Sequence, residues 1–209
     1  MHLKPCIPFD SLITLRDGSY KAVQELKIKD EVRTFNMNLE SFDSANIHLN
    51  KPTYSRISGI SKIEIIESDL LKIQLNLKKI YVESTWGKVD DEPTMIIHNQ
   101  TAIMGGSSLG WLVGNLKKVT EKRPFSLDPI YPLDNEPLED FLGRFSQLEV
   151  GKLIQIDSEV YKDNSQKKIK SVEKVSGNNK QILYCIESLD NGDSIYVNDV
   201  MFGICRQGV

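Results

Sequence analysis

An internal repeat constrains the fold of this chain more than any other feature of its sequence. Four stretches of the first half recur in the second half, in the same order and at similar offsets. They are Glu25–Val32 with Gln147–Ile154; Ile57, Ile60 and Ile63 with Ile169, Val172 and Val175; Leu71–Ile73 with Leu183–Cys185; and Ile80–Val82 with Ile195–Val197. Two copies are too few for a solenoid. The repeat therefore predicts a pseudo-twofold structure with one shared core, because neither half can bury much apolar surface by itself.

Turn signals predict two β-hairpins. The first covers Ile13–Val23 around Asp17-Gly18, and the second covers Leu183–Val197 around Asn191-Gly192. Asp-Gly and Asn-Gly pairs favour the positive φ angles that tight hairpin turns require.

The remaining local patterns also favour strands over helices. Lys72–Leu75 and Lys79–Val82 alternate polar and apolar residues, as half-buried strands do. Helical periodicity is weak, and the best helix candidates are the short segments Phe9–Leu12 and Pro137–Phe145. The predicted fold class is therefore mostly β.

Composition excludes several classes of protein. The chain has 209 residues, 40% of them hydrophobic and 26% charged, with a formal net charge of −3. A nearly neutral chain lacks the basic surface that nucleic acid requires. No apolar run reaches the roughly 20 residues that cross a bilayer, and the N-terminus lacks an apolar signal region. We therefore expect no nucleic-acid or membrane partner and no export by a signal peptide.

A long segment between the two copies, Trp86–Glu139, is predicted to be irregular. It holds most of the prolines and a Gly-Gly-Ser-Ser stretch, and loops this long are uncommon within compact domains. Its apolar part, from Ala102 to Val113, is either a plug in the core or an exposed contact patch. The plug is favoured, because large exposed apolar patches are uncommon on monomers.

Three widely spaced cysteines, Cys6, Cys185 and Cys205, carry the most reactive side chains. No Cys-x-x-Cys pair occurs, and a disulfide framework is not expected in an unexported chain. The default expectation is three buried thiols that form no disulfide. The alternative is that Cys6, just ahead of a β structure, is a nucleophile.

No metal or cofactor is predicted from the other titratable residues. The histidines, His2, His48 and His98, lie at no ligand spacing from a cysteine or carboxylate. The acidic runs Asp90–Glu92 and Glu136–Asp140 are interpreted as solvated faces.

Taken together, the motifs resemble the Hint (hedgehog/intein) family. Cys6 is followed by Asp17-Gly18 and then by Leu26–Val32, which fits a Leu-x-x-Gly-Asp-x-Val motif with Lys29 in place of the glycine. Leu148–Leu153 is similar to a second copy, with Lys152 in place of the aspartate. The chain end is similar to the last two strands of the family, namely Leu183–Glu187 and Tyr196–Phe202, followed by Gly203–Cys205.

The resemblance implies a horseshoe-like β fold built from two related halves. The implied domain covers residues 6–205, with a first half at 6–86, an insertion at 87–139 and a second half at 140–205. Residues 1–5 form an N-terminal stub and residues 206–209 a C-terminal tail.

The resemblance also assigns a reaction position to each cysteine. In active inteins the first cysteine attacks the preceding carbonyl, and Cys6 matches that residue. Cys205 matches the downstream nucleophile, and Cys185 lies where the family carries an aspartate or a cysteine.

Other functional residues of the family are absent. The Thr-x-x-His element should follow Lys79–Tyr81, where the chain has Val82–Thr85, and Thr94 and His98 have the wrong spacing to replace it. Gly203-Ile204 stands where a terminal His-Asn pair would cleave by cyclisation. Pro5 before Cys6 further restricts the local backbone.

Three hypotheses follow. The first is a non-catalytic Hint-like structural or interaction protein, such as a tail or baseplate component of a phage or viral virion, located in the cytoplasm or the virion. Its partners would be other proteins, bound by the 87–139 insertion and by exposed strand edges. The short flanks of Cys6 and Cys205 favour this interpretation, since splicing would join only two stubs. The alternative is residual autoprocessing through a Cys6 thioester. The third is that Cys6 and Cys205 meet to form a disulfide or to bind zinc.

Overall fold

The computed structural model describes residues 6–34, 53–76, 94–105, 111–116, 145–156, 166–192 and 194–203. These residues form mainly β-strands, with two 3-10 turns at Val23–Glu25 and Glu67–Asp69. The strands are β1 (Cys6–Pro8), β2 (Leu12–Thr14), β3 (Tyr20–Ala22), β4 (Glu31–Thr34), β5 (Thr53–Ile66), β6 (Leu70–Leu75), β7 (Thr94–His98), β8 (Ala102–Met104), β9 (Trp111–Val113), β10 (Phe145–Gln147), β11 (Leu153–Gln155), β12 (Gln166–Lys174), β13 (Lys180–Leu189), β14 (Ser194–Val197) and β15 (Val200–Gly203).

The described strands pair into three sheets. Their orders are β1-β13-β5-β4, then β10-β9-β8-β15-β14-β2-β3, and finally β11-β12-β6-β7. Nearly all of the pairs are antiparallel, the exception among them being β9 with β10. The predicted mostly β class is confirmed.

The internal repeat is present in the backbone. The N–H of Lys29 donates to the carbonyl of Ile57, and the N–H of Gly151 donates to the carbonyl of Ile169, each at 2.8 Å. The bonds in the opposite direction also match. The N–H of Ile57 donates to the carbonyl of Asp30 at 3.0 Å, and the N–H of Ile169 donates to the carbonyl of Lys152 at 2.9 Å. Leu26 and its counterpart in the second copy are both buried. The predicted alignment of these two stretches is therefore confirmed.

The two halves of the repeat exchange their pairing partners. Strand β5 of the first half pairs with β13 of the second half, and β12 of the second half pairs with β6 of the first half. Each of these two long antiparallel strand pairs therefore contains one strand from each half. This interlocking supports the prediction of a shared core, and its largest cluster draws on both halves, for instance Ile57, Ile73, Ile169 and Ile195.

The segment between the repeats is more regular than predicted. Strands β7, β8 and β9 all lie within it, so an irregular structure is wrong for residues 94–98, 102–104 and 111–113. The plug interpretation is confirmed, because β8 lies between β9 and β15 and the residues of β8 and β9 are buried. Ile103 and Trp111 are fully inaccessible to solvent. Burial on both faces explains why this stretch is continuously apolar.

The first predicted hairpin is confirmed, and the second is wrong. Strands β2 and β3 pair in register around Gly18, whose φ is 84°. Asn191-Gly192 does turn the chain, and Gly192 has a φ of 95°. However, β13 and β14 belong to different sheets, because both edges of β13 are already paired with β1 and β5.

The helix prediction at Phe9–Leu12 is also wrong. Asp10 has a φ of 63°, which no right-handed helix contains, and Leu12 begins β2. Phe145, the last residue of the other helix candidate, lies in β10, and the rest of that candidate falls outside the described residues. The alternating strand at Lys72–Leu75 is confirmed within β6, while Lys79–Val82 is not described. No helix in the described part of the chain is long and apolar enough to span a membrane.

Candidate functional site

Cys6 and Cys185 lie directly opposite each other on neighbouring strands. Their register places Cys6 of β1 against Cys185 of β13, with 4.1 Å between the Cα atoms. The two sulfur atoms form a disulfide across 179 residues of sequence. The expectation of thiols that form no disulfide is therefore wrong for these two cysteines, because adjacent strands bring them within bonding distance. A Cys6–Cys205 disulfide is excluded in this state, since the Cys6 sulfur is already bonded.

The disulfide is buried in an apolar cluster. Cys6 is 5% exposed and Cys185 is 0% exposed, and both pack with Leu70 and Leu183. Partly buried side chains complete the cluster, namely Ile63, Ile65, Ile96 and Val175. The described side chains of this cluster are apolar and would not stabilise a Cys6 thiolate.

The turn between β7 and β8 brings polar groups close to this cluster. His98 ends β7 and lies opposite Leu70 in the register, so it shares a sheet face with a neighbour of Cys6. Strand β7 also contacts β1 directly. The N–H of Thr101 donates to the carbonyl of His98 at 3.0 Å and closes the turn. His98 and Thr101 are therefore held close together beside the strand that carries Cys6.

Oδ1 of Asn99 and Oγ1 of Thr101, both in this turn, are buried and have no hydrogen-bond partner in the structure as described. Asn99 is oriented by Asp69, because its N–H donates to the Asp69 carbonyl at 2.9 Å and its Nδ2 donates to Asp69 Oδ1 at 3.3 Å. A buried polar atom without a partner is uncommon and needs an explanation. This turn is therefore the strongest polar feature beside Cys6.

The sequence pointed to only part of this turn, through His98. Thr94 and His98, the pair with the wrong spacing for a Thr-x-x-His element, lie at opposite ends of β7, where Thr94 is exposed and His98 is buried. Val82–Thr85, the expected place of the Thr-x-x-His element, falls outside the described residues. Thr101 was missed, and its signal was a histidine and a threonine three residues apart, in reversed order, just before a buried strand.

Cys205, the third predicted site residue, also lies outside the described residues. The described chain ends at Gly203, which packs closely against the ring of Trp111. Trp111 is fully buried, and its indole Nε1 has no hydrogen-bond partner in the described structure.

A charged surface cleft is the main alternative site. It has a volume of about 430 Å³ and is lined by Leu15, Arg16, Asp17, Glu31 and Tyr54. Arg16 Nη1 lies 3.0 Å from a Glu31 carboxylate oxygen and its guanidinium stacks 5.5 Å from the Tyr54 ring centroid. The hydrogen bond from Arg16 lowers the pKa of Glu31. The positive and negative charges in this cleft are therefore paired with each other, and the cleft gives no indication of which ligand it would bind.

The described residues contain no group of three or more His, Cys, Asp or Glu side chains that could hold a metal ion. His2, His48 and both acidic runs fall outside the described residues.

Comparison with protein-family models and with curated protein sequences finds no match, whereas solved structures match over nearly the whole chain. A DnaB intein from Synechocystis sp. PCC 6803 is 13% identical with a TM-score of 0.57, over 96% of this chain and 99% of that one. A bacterial intein-like domain from Clostridium thermocellum is 12% identical with a TM-score of 0.57, over 95% and 98%. The Ssp DnaB mini-intein variant M86 is 11% identical with a TM-score of 0.56, over 100% and 98%. These likenesses show the fold and confirm the predicted mostly β, Hint-like horseshoe.

Proposed function

Starting from the intein-like Hint fold of this chain, we propose that the protein does not splice and instead acts by binding other proteins. One observation carries the proposal: the sulfur of Cys6, the residue that matches the first nucleophile, is bonded to Cys185. A sulfur in a disulfide has no thiolate, so it cannot attack a carbonyl. The sequence adds that Ile204, rather than asparagine, precedes Cys205, so no side-chain amide is available there for cyclisation.

Sheet edges are the surfaces that we propose for partners. The seven-stranded sheet ends in β3 and β10, and neither has a further strand beside it among the described residues. An extended segment of a partner could add to such an edge through main-chain hydrogen bonds. The 87–139 insertion is a weaker candidate surface than its sequence indicates, since strands β8 and β9 are buried in the core. We expect partner binding to slow amide exchange in β3 or β10.

Intact-mass spectrometry of the purified chain tests whether it splices. The protein is kept for several days at neutral pH without a reducing agent and then weighed under denaturing conditions. We expect a single species of full length that contains the Cys6–Cys185 disulfide. Loss of Met1–Pro5, or a product that lacks the body of the chain, would contradict the proposal.

A second candidate function is cleavage at Cys6 after reduction of the disulfide. The turn at His98–Thr101 favours it, because that turn places buried polar atoms beside strand β1. A general acid and hydrogen-bond donors next to a scissile amide typically accelerate its cleavage by about 10²–10⁴-fold. In this reaction the reduced Cys6 thiolate attacks the Pro5 carbonyl, the C–N bond to Cys6 breaks, and the nitrogen takes up a proton. An external thiol then takes over the acyl group.

The second candidate is tested by adding excess sodium 2-mercaptoethanesulfonate at pH 8 and weighing the chain over time. If it is correct, the chain loses residues 1–5, Cys6→Ala abolishes the loss, and Thr101→Val slows it about tenfold or more. Thr94→Val, at the exposed start of β7, is the matched control and should have no effect. An unchanged mass in wild type would eliminate this function.

A further inference from the structure

The Cys6–Cys185 disulfide joins two strands that are anchored very unequally. Strand β1 has three residues and pairs along one side with β13. Strand β13 has ten residues and lies between β1 and β5, with nine register pairs to β5 alone. Release of β1 therefore leaves β13 in its sheet, whereas release of β13 would dismantle the sheet.

The chain after β1 has the features of a hinge followed by an anchor. Phe9 is 60% exposed and Asp10 adopts a positive φ of 63°. Asp10 is then fastened to Gln24 by two hydrogen bonds, from its N–H to Gln24 Oε1 at 3.0 Å and from Gln24 Nε2 to its Oδ1 at 2.7 Å. Movement of β1 can therefore stop at Asp10 without disturbing β2.

The two sulfur atoms also differ in how accessible they become to a thiol once β1 moves. While the disulfide is intact, Cys6 stays tethered to Cys185, so release of β1 uncovers the Cys6 sulfur without removing it, and Cys185 stays within the sheet, packed with Leu70 and Leu183. Cys6 can move away with its strand only after the bond is reduced. The main resistance to this opening is Ile7, which is fully buried in the central core. Local openings of short edge elements occur far more often than global unfolding.

We propose that Cys6–Cys185 is a redox-controlled site, which low-molecular-weight thiols such as glutathione open through local release of strand β1. The thiolate of one glutathione attacks the Cys6 sulfur, the Cys6–Cys185 bond breaks, and Cys185 leaves as a thiolate that takes up a proton. A second glutathione thiolate attacks the glutathione sulfur of the mixed disulfide and releases Cys6. Two protein thiols are formed, and two glutathiones are oxidised to one glutathione disulfide.

The consequence is control over the reactivity of Cys6. The oxidised protein presents no nucleophile at this position, whereas the reduced protein presents one accessible thiol on a strand that can open. This control does not depend on the cleavage reaction, because an accessible thiol can be measured directly whether or not the peptide bond before it breaks.

The route of reduction is tested by comparing two core variants in a Cys205→Ser background. Ile7→Ala weakens the packing of β1, and Ile154→Ala, equally buried in β11, is the matched control that weakens the fold away from β1. Reduction by glutathione is followed by quenching and mass spectrometry. We expect Ile7→Ala to accelerate reduction about tenfold or more, because a large-to-small change at this site makes the opening itself easier. Ile154→Ala should leave the rate within about twofold. Equal acceleration by both variants would show that reduction requires global unfolding and would overturn the proposal.

Two further readouts keep the test decisive where an alanine variant fails to fold. Ile7→Val and Ile154→Val form a milder pair with the same expected order. In the reduced protein, iodoacetamide should label Cys6 at least about tenfold faster than Cys185, with unchanged circular dichroism. Loss of the circular dichroism signal on reduction, or equal labelling of the two cysteines, would overturn the proposal. Cleavage at Cys6 is read separately from the mass of the chain.

Discussion

At the scale of single residues, one left-handed backbone position of the repeat is occupied by different residue types in the two copies. Lys29 and Gly151 occupy equivalent turns, with φ angles of 78° and 86°. A side chain in this region costs about 1–2 kcal/mol, whereas glycine has no such penalty. The first copy therefore carries local strain that the second copy avoids.

Placing glycine at position 29 and lysine at position 151, each in a separate variant, should change the free energy of unfolding in opposite directions. We expect Lys29→Gly to raise the free energy of unfolding by about 0.5–1 kcal/mol, after the larger unfolded-state entropy of glycine is subtracted. Gly151→Lys should lower it by about 1 kcal/mol. A Cβ at position 151 would contact nothing within 4 Å, so its cost is purely conformational. Urea unfolding of both variants measures the two values, and changes of the same sign would contradict this account.

Asp30, the residue after Lys29, should make the same turn sensitive to pH. Burial acts to raise its pKa, but hydrogen bonds from Lys21 Nζ and the Lys27 N–H, at 2.7 and 2.8 Å, more than offset this and leave the pKa below the ordinary value of 3.8. A carboxyl with a lowered pKa stabilises the fold above that ordinary value, and this contribution is lost as pH falls through the folded pKa.

We therefore expect Asp30→Asn to lower the free energy of unfolding at pH 7 by about 1 kcal/mol. The difference between Asp30→Asn and wild type should shrink as pH is lowered from 5 towards 2. Urea unfolding at a series of pH values measures this. Glu173→Gln, on an exposed position of β12, is the control and should change little at any pH. A difference that stays constant with pH would show that the carboxylate charge is not responsible.

At the scale of strands, the Trp111 ring of β9 reaches past β8 to Gly203 of β15, so that one glycine is required there. A Cβ on Gly203 would lie 2.8 and 2.9 Å from ring atoms of Trp111, which is fully buried. Gly203→Ala should therefore lower the free energy of unfolding by about 1–3 kcal/mol. In a Trp111→Phe background the clashing ring atoms are gone, so the same change should cost clearly less. A double-mutant cycle measures this coupling, and purely additive effects would refute it.

Strands also show how far the sequence predicts this fold. A turn pair correctly predicted the first hairpin, alternation predicted β6, and the apolar run from Ala102 to Val113 predicted that β8 and β9 are buried, since each leaves a local signal. The prediction of the second hairpin was wrong because Asn191-Gly192 indicates a turn but does not indicate which strands pair with the strands on either side of it. Those partners depend on β1 and β5, which are more than a hundred residues away. The Cys6–Cys185 bond was missed for the same reason, because no local spacing relates the two cysteines.

At the scale of the whole molecule, pairing between the two halves determines what can fold independently. Strands before residue 130 pair with strands after it in each of the three sheets: β1 and β5 with β13, β6 with β12, β9 with β10, β2 with β14, and β8 with β15. A fragment of residues 1–130 would lack these partner strands, so it would leave strand edges unpaired in all three sheets and expose its half of the shared core. We therefore expect fragments 1–130 and 131–209 to lack cooperative unfolding when separate, and to form a folded complex when mixed.

The disulfide provides a direct measurement of this reassembly. After mixing and mild oxidation, Cys6 and Cys185 should join the two fragments into one species of the summed mass on a non-reducing denaturing gel, because β1 can meet β13 only in the assembled sheet. A Cys185→Ser second fragment is the matched control, which should restore the circular dichroism of the complex without the Cys6–Cys185 cross-link. Peptide mapping distinguishes that bond from any that involves Cys205. If either fragment unfolds cooperatively in isolation, the halves are separate folding units and the exchange of strands is not what holds the fold together.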